Sequence, residues 1–134
     1  MSYLMVSGNR KETMGMINVN GKVQEATCLQ ERAAMLDTFE ALAGKWKLPI
    51  LRYLSNRPDE QNTFKKIQRE LGAISAKVLT QELKDLETNK LITRTVLPTK
   101  PVMVAYRVTQ HGLTVIPLTD QIVQWGLNHR TELR

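Results

Sequence analysis

Two short stretches of helical period lie back to back around a glycine, and that spacing limits what the chain can become. Thr63 can cap a short helix in which Phe64, Ile67 and Leu71 face inward while Lys65, Lys66, Arg69 and Glu70 face out. Gly72 breaks it, only Ala73 and Ile74 follow, and Ser75 can cap a second helix running to about Thr88. Ile74 and Leu79 stand at the two ends of a hydrophobic staple. Two short helices joined by a three-residue turn containing Gly predict a helix-turn-helix over 63–88. Asn89-Lys90 then leads into Leu91–Leu97, and after Pro98-Thr99-Lys100-Pro101 the run Val102–Val108 alternates. Val102, Val104, Tyr106 and Val108 share one face; Met103, Ala105 and Arg107 share the other. The spacing predicts a strand hairpin over 91–108, a wing that must lean on the helices because two strands alone are marginal.

Before this core, Trp46, Ile50, Leu51 and Leu54 line the inner side of a further helix, with Pro49 tolerated in its first turn and Asn56-Arg57-Pro58-Asp59 ending it. Thr27-Cys28-Leu29-Gln30 reads as a capping box opening a helix over 27–43, in which Leu29, Ala33, Leu36, Phe39 and Leu42 recur at helical spacing before Gly44. The last helix, over 110–129, carries Leu113, Val115, Ile116, Leu118, Ile122, Val123, Trp125 and Leu127. They spread too widely for one stripe against a small domain, so a second face is expected to meet a partner subunit. Pro117 should kink or split this helix. Residues 1–26 have no helical period and form an arm or tail; Asn20-Gly21 between Ile17, Val19 and Val23 fits a two-residue hairpin turn, with a mobile tail as the alternative. The expected fold class is mainly α with a small β-hairpin wing (α+β).

Length and charge narrow the function. A chain of 134 residues suits one domain with appendages. Residues 45–107 hold thirteen Lys/Arg against six Asp/Glu, so the positive charge is concentrated there while the rest is close to neutral. Such a field attracts polyphosphate, although a solvated basic surface gives the same count. No Gly-x-Gly-x-x-Gly, Walker or Gly-x-Ser-x-Gly motif occurs, and His111 and His129 have neither each other nor a Cys at metal-ligand spacing. Catalysis, a cofactor and a metal are therefore not expected, and the identity of any small effector is left open. The lone Cys28 makes no intrachain disulfide, no apolar run is long enough to span a bilayer, and Met1–Ser7 is too short for a signal peptide. The expectation is a soluble, cytoplasmic protein without a membrane partner.

In the helix after Ser75, Val78, Leu79, Leu83 and Leu86 mark the core side, which leaves Lys77, Gln81 and Lys84 outward with Thr80 beside them. These side chains suit a major groove: Gln pairs bidentately with adenine, Lys meets guanine or phosphate, and Thr meets either edge or a thymine methyl. Ser75 and the free N–H groups at the helix start can hold a phosphate. Arg94, Lys100, Lys65 and Lys66 are candidate phosphate contacts. A solvated helix face is the alternative, but the preceding helix-turn and following wing favour double-stranded DNA as the partner. A winged-helix module that binds another protein is the second reading. Cys28, at the first helical position, sits where the helix dipole favours thiolate, or else is a small core residue.

Leu42-Ala-Gly-Lys-Trp46-Lys-Leu-Pro-Ile-Leu51, Phe64-Lys-Lys-Ile67, Ile74-Ser-Ala-Lys-Val-Leu-Thr-Gln-Glu-Leu83-Lys-Asp-Leu86, Tyr106-Arg-Val-Thr109-Gln-His-Gly112 and Trp125-Gly126 together resemble the HxlR-type bacterial regulators, over about residues 29–128. The resemblance implies a dimeric winged helix-turn-helix repressor or activator. The first and last helices would dimerise, through Leu29, Leu36, Ile116, Ile122 and Trp125, and the Ser75–Lys84 helix would enter the major groove. Some members sense oxidants or electrophiles through a cysteine near the start of the first helix. Cys28 is similar in setting, about one turn farther from Gly-Lys-Trp, with Leu29 where Pro commonly follows.

Overall fold

The computed structural model describes residues 15–134, in two compact units divided inside a helix between Glu40 and Ala41. In the first unit, β1 (Gly15–Val19) and β2 (Lys22–Ala26) pair antiparallel, Val19 opposite Lys22. Asn20 and Gly21 both adopt positive φ, 49° and 85°, as a tight hairpin turn of matching twist requires, and the Gly21 N–H donates to Asn18 Oδ1 at 2.9 Å. The part of the expected arm that precedes residue 15 lies outside the described residues. Helix α1 (Cys28–Leu42) opens on reciprocal bonds: the Thr27 N–H donates to Gln30 Oε1 at 2.9 Å, and the Gln30 N–H to Thr27 Oγ1 at 3.1 Å. Along α1, Leu29, Met35, Leu36 and Phe39 are all more than half exposed.

The second unit contains α2 (Lys47–Ser55), β3 (Asn62–Thr63), α3 (Phe64–Leu71), α4 (Ala76–Thr88), β4 (Ile92–Leu97), β5 (Met103–Val108), α5 (Gln110–Leu113) and α6 (Ile116–Glu132). Ile50, Leu51 and Leu54 of α2, Ile67 of α3, Leu79, Leu83 and Leu86 of α4 and Ile92 of β4 form an aliphatic core closed to solvent. Tyr106 and Val108 pack on it from β5. The caps are in place: Thr63 Oγ1 accepts from the Lys66 N–H and Ser75 Oγ from the Val78 N–H. Gly72 ends α3 at φ 87°, a conformation side-chain-bearing residues rarely adopt.

Three features depart from the expectations. The wing has a third strand: β3 pairs with β5, giving the order β3-β5-β4, and at two residues it is too short to show an alternating pattern. Asn62, buried there, donates from Nδ2 to the Arg57 and Glu60 carbonyls, closing the loop after α2. Val78, assigned to the core side of α4, is 39% exposed. The last helix is split, as Pro117 leads one to expect: α5 ends at Leu113, and Pro117 lies in the first turn of α6, where its missing N–H costs nothing. Ile116, expected at a dimer interface, is partly buried and packs on the unit's own core because it sits at the root of α6.

The wing returns to the helices through one junction. Thr109 caps α5, accepting from the Gly112 N–H at 2.9 Å, and its hydroxyl donates to the Lys90 carbonyl at 2.7 Å. The Thr109 N–H donates to the Leu91 carbonyl at 3.0 Å. Gly112 is buried against this crossing, and a Cβ there would collide with the Leu91 carbonyl oxygen and come within 2.6 Å of the Val108 side chain. Gly112→Ala should therefore destabilise the protein by about 1–3 kcal/mol, read as a lower urea midpoint with unchanged slope. An unaltered midpoint would mean that the junction yields freely.

Candidate nucleic-acid interface

Helix α4 buries Leu79, Leu83 and Leu86, which leaves Ser75, Lys77, Thr80, Gln81 and Lys84 on its exposed side. Two of these side chains are already oriented. Thr80 Oγ1 donates to the Ala76 carbonyl at 2.7 Å, which directs its hydrogen into the helix. Gln81 Nε2 donates to Asp85 Oδ1 at 2.8 Å, one turn on. Thr80, Lys84 and Glu87 of α4 meet Arg94 of β4 and Tyr106 of β5 around an open cleft of about 340 Å³ between helix and wing. The wing thus brings a guanidinium beside the Lys84 end of the polar row.

The remaining predicted cations are placed differently. Lys65 of α3 and Lys100 of the wing loop are exposed, on elements separate from the α4 row. Lys66 is tied to Glu60, Nζ to Oε1 at 2.8 Å, so any phosphate must compete with a carboxylate for its ammonium. This hydrogen bond, with lesser help from Arg57, holds the Glu60 carboxyl below its ordinary value. Lys47, counted in the basic segment, does not contribute to the surface: it is 8% exposed, 2.7 Å from Glu82 and 3.5 Å from Asp85. Burial pushes its ammonium towards deprotonation, but Glu82 and Asp85 together outweigh that and raise its pKa above the usual lysine value. Lys47, Glu82, Asp85 and Tyr106 escaped the sequence reading as parts of this region. Only the spacing of Gln81 and Asp85, four apart on a helix, carried a signal.

Away from α4, Leu118, Ile122, Val123, Trp125 and Leu127 of α6 are 41–66% exposed, with His129 stacked on Trp125 at 4.7 Å between ring centres. The root of α6 is fixed to α2: Arg52 Nη1 donates to Thr119 Oγ1 at 2.8 Å and pairs with Asp120 Oδ1 at 2.6 Å, and Thr119 is fully buried. Cys28 begins α1 and is partly buried. Among the described residues, no helix is long and apolar enough to cross a membrane, and no cluster of three His, Cys, Asp or Glu can hold a metal ion.

A capped helix with a polar outer face, preceded by a glycine-closed turn and followed by a β-wing, defines a winged helix-turn-helix transcription regulator of the DNA-binding kind. The chain belongs to the HxlR-like helix-turn-helix family, whose model matches residues 41–133. It is 33% identical to the HTH-type transcriptional regulator YtcD of Bacillus subtilis over 92 residues, 69% of this chain and 71% of that protein. A crystal structure of YtcD superposes with a TM-score of 0.66 at 31% identity, covering 72% of this chain and 96% of that one. The reduced form of YodB, also from Bacillus subtilis, gives 0.59 at 33% identity, covering 69% and 87%. The oxidised form of the redox regulator HypR gives 0.63 at 27%, covering 71% and 95%. The family match begins at Ala41, so it includes the α4 row and the wing but neither Cys28 nor Leu29 and Leu36.

The ion pairs beneath α4 have a pH signature. With a folded pKa above its unfolded value of 10.5, Lys47 contributes its full stabilisation at neutral pH and loses it only as pH rises through the raised value. Lys47→Met should lower stability at neutral pH by about 1–3 kcal/mol, since it strands a largely buried carboxylate. The gap between parent and variant in urea midpoint should narrow above the lysine range.

Proposed function

We propose that this chain regulates transcription as a homodimer on an inverted-repeat operator, with α4 in the major groove and the wing against neighbouring phosphate. The observation that carries the reading is the apolar-free row Lys77, Thr80, Gln81 and Lys84 on an element whose other side is locked into the core, with Arg94 beside it. Affinity rests on the cations and base choice on Gln81, Thr80 and Lys84. The exposed α6 row is the surface offered to a second copy, and the exposed Leu29 and Leu36 of α1 contribute apolar area to the same purpose. Two-fold symmetry then sets the half-sites about 34 Å apart, one helical turn of DNA.

Footprinting and salt titration test this. Binding should saturate with a defined footprint and weaken steeply with salt. Gln81→Ala and Lys84→Ala should cost about 1–3 kcal/mol on the preferred sequence, whereas Lys65→Ala should lower affinity evenly on all sequences and reduce the salt slope by about one. Salt-insensitive binding without a footprint would point instead to a protein-binding winged helix. Trp125→Asp should shift sedimentation from dimer to monomer.

Signal input through Cys28 completes the reading. Its support is its place at the first position of α1, together with the solved diamide-treated and quinone-bound forms of the similar YodB. Diamide or a quinone should release DNA from the parent and not from Cys28→Ser; equal responses would exclude Cys28 as the sensor.

A further inference from the structure

The Gln81–Asp85 bond constrains which base Gln81 can accept. Resting on the groove reading above, we propose that Asp85 is a positioning residue that sets Gln81 to prefer adenine over guanine. A carboxylate only accepts hydrogen bonds, so the edge of Gln81 turned to Asp85 must be its amide nitrogen, and the 2.8 Å contact is Nε2 to Oδ1. One of the two Nε2 hydrogens is thereby taken. The outward edge keeps Oε1 as acceptor and one N–H as donor. That pair matches adenine, which offers the N6 donor and the N7 acceptor in the major groove. Guanine offers two acceptors there, O6 and N7, and would need both hydrogens of Nε2 or a reversed amide. A reversed amide would set Oε1 against the Asp85 carboxylate.

Asp85 is itself held from beneath. Its second oxygen, Oδ2, lies 3.5 Å from the Lys47 ammonium, whose closer partner is Glu82 at 2.7 Å. The chain of contacts therefore runs from a buried lysine on α2, through Asp85, to the reading surface of α4. Lys47, 3.5 Å away, offsets the negative charge that Asp85 would bring near phosphate, which explains how a carboxylate is tolerated on a face turned to a polyanion. Removing Asp85 leaves Lys47 paired with Glu82, so the helix keeps its anchor.

Selection from a random-sequence duplex pool, with full-length parent, Gln81→Ala, Asp85→Ala and Asp85→Glu, tests the assignment. The position whose adenine preference disappears in Gln81→Ala is the one Gln81 reads. There Asp85→Ala should cut the adenine-to-guanine ratio about tenfold. Its overall affinity for DNA should not fall, because a negative charge has left the surface. Asp85→Glu still presents a carboxylate to Gln81 and should keep the ratio. A purely structural role would lower affinity on every sequence and leave the ratio unchanged. If Asp85→Ala melts early, Asp85→Asn serves in its place: its amide meets Gln81 in either orientation, so the ratio should fall there too. An unchanged ratio in these folded variants, with a Gln81-dependent preference in the parent, overturns the positioning role and leaves the groove reading intact. A pool in which Gln81→Ala alters no position overturns both.

Discussion

Three leucines hold α4, and the direction of its polar row and of the cleft it shares with the wing follows from them. Leu79, Leu83 and Leu86 are closed to solvent among Ile50, Leu51, Leu54, Ile67 and Ile92, each an aliphatic side chain whose burial is worth about 1.5–3 kcal/mol. With that stripe committed, the helix cannot rotate without exposing a leucine, so the polar row opposite is fixed in direction. The caps at Thr63 and Ser75 and the left-handed Gly72 set where the helices start and stop. Packing then determines what they face.

The wing shares that core through Ile92 and adds a second kind of contact. The Thr109 hydroxyl and backbone tie β5 to the end of α4 through the Lys90 and Leu91 carbonyls, and Gly112 lets α5 approach that crossing. Arg94 is therefore positioned relative to Lys84 by hydrogen bonds and a missing side chain as well as by the packing of Ile92, Tyr106 and Val108 on the core. Both kinds of fastening converge on the cleft that Thr80, Lys84, Arg94 and Tyr106 share.

Much of this was legible in sequence because the signals were local. Periodicity located α2, α3, α4 and the wing strands, and the Thr27–Gln30 box and Asn20-Gly21 turn are complete within a few residues of chain. What escaped depends on long-range pairing. Strand β3 exists only because β5 passes beside it, and Ile116 is inward only because α6 begins there. Lys47 reads as surface charge in the sequence, whereas the fold sets Glu82 and Asp85, more than thirty residues away, around it. The candidate reading residues were visible by type and spacing. The bond that orients Gln81 was legible only as a spacing, and the tie beneath it not at all.

The root of α6 has a mechanical consequence. Arg52 grips Thr119 and Asp120, and beyond them the helix runs on to Glu132, a lever about 20 Å long. A tilt of roughly 10° at the root would carry the tip by some 3–4 Å, about the rise of one base pair. In the homodimer proposed above, joined along these levers, the hydrogen bonds of a single arginine would act as a fulcrum, turning a small rotation at α2 into a change of phase between the two proposed reading heads.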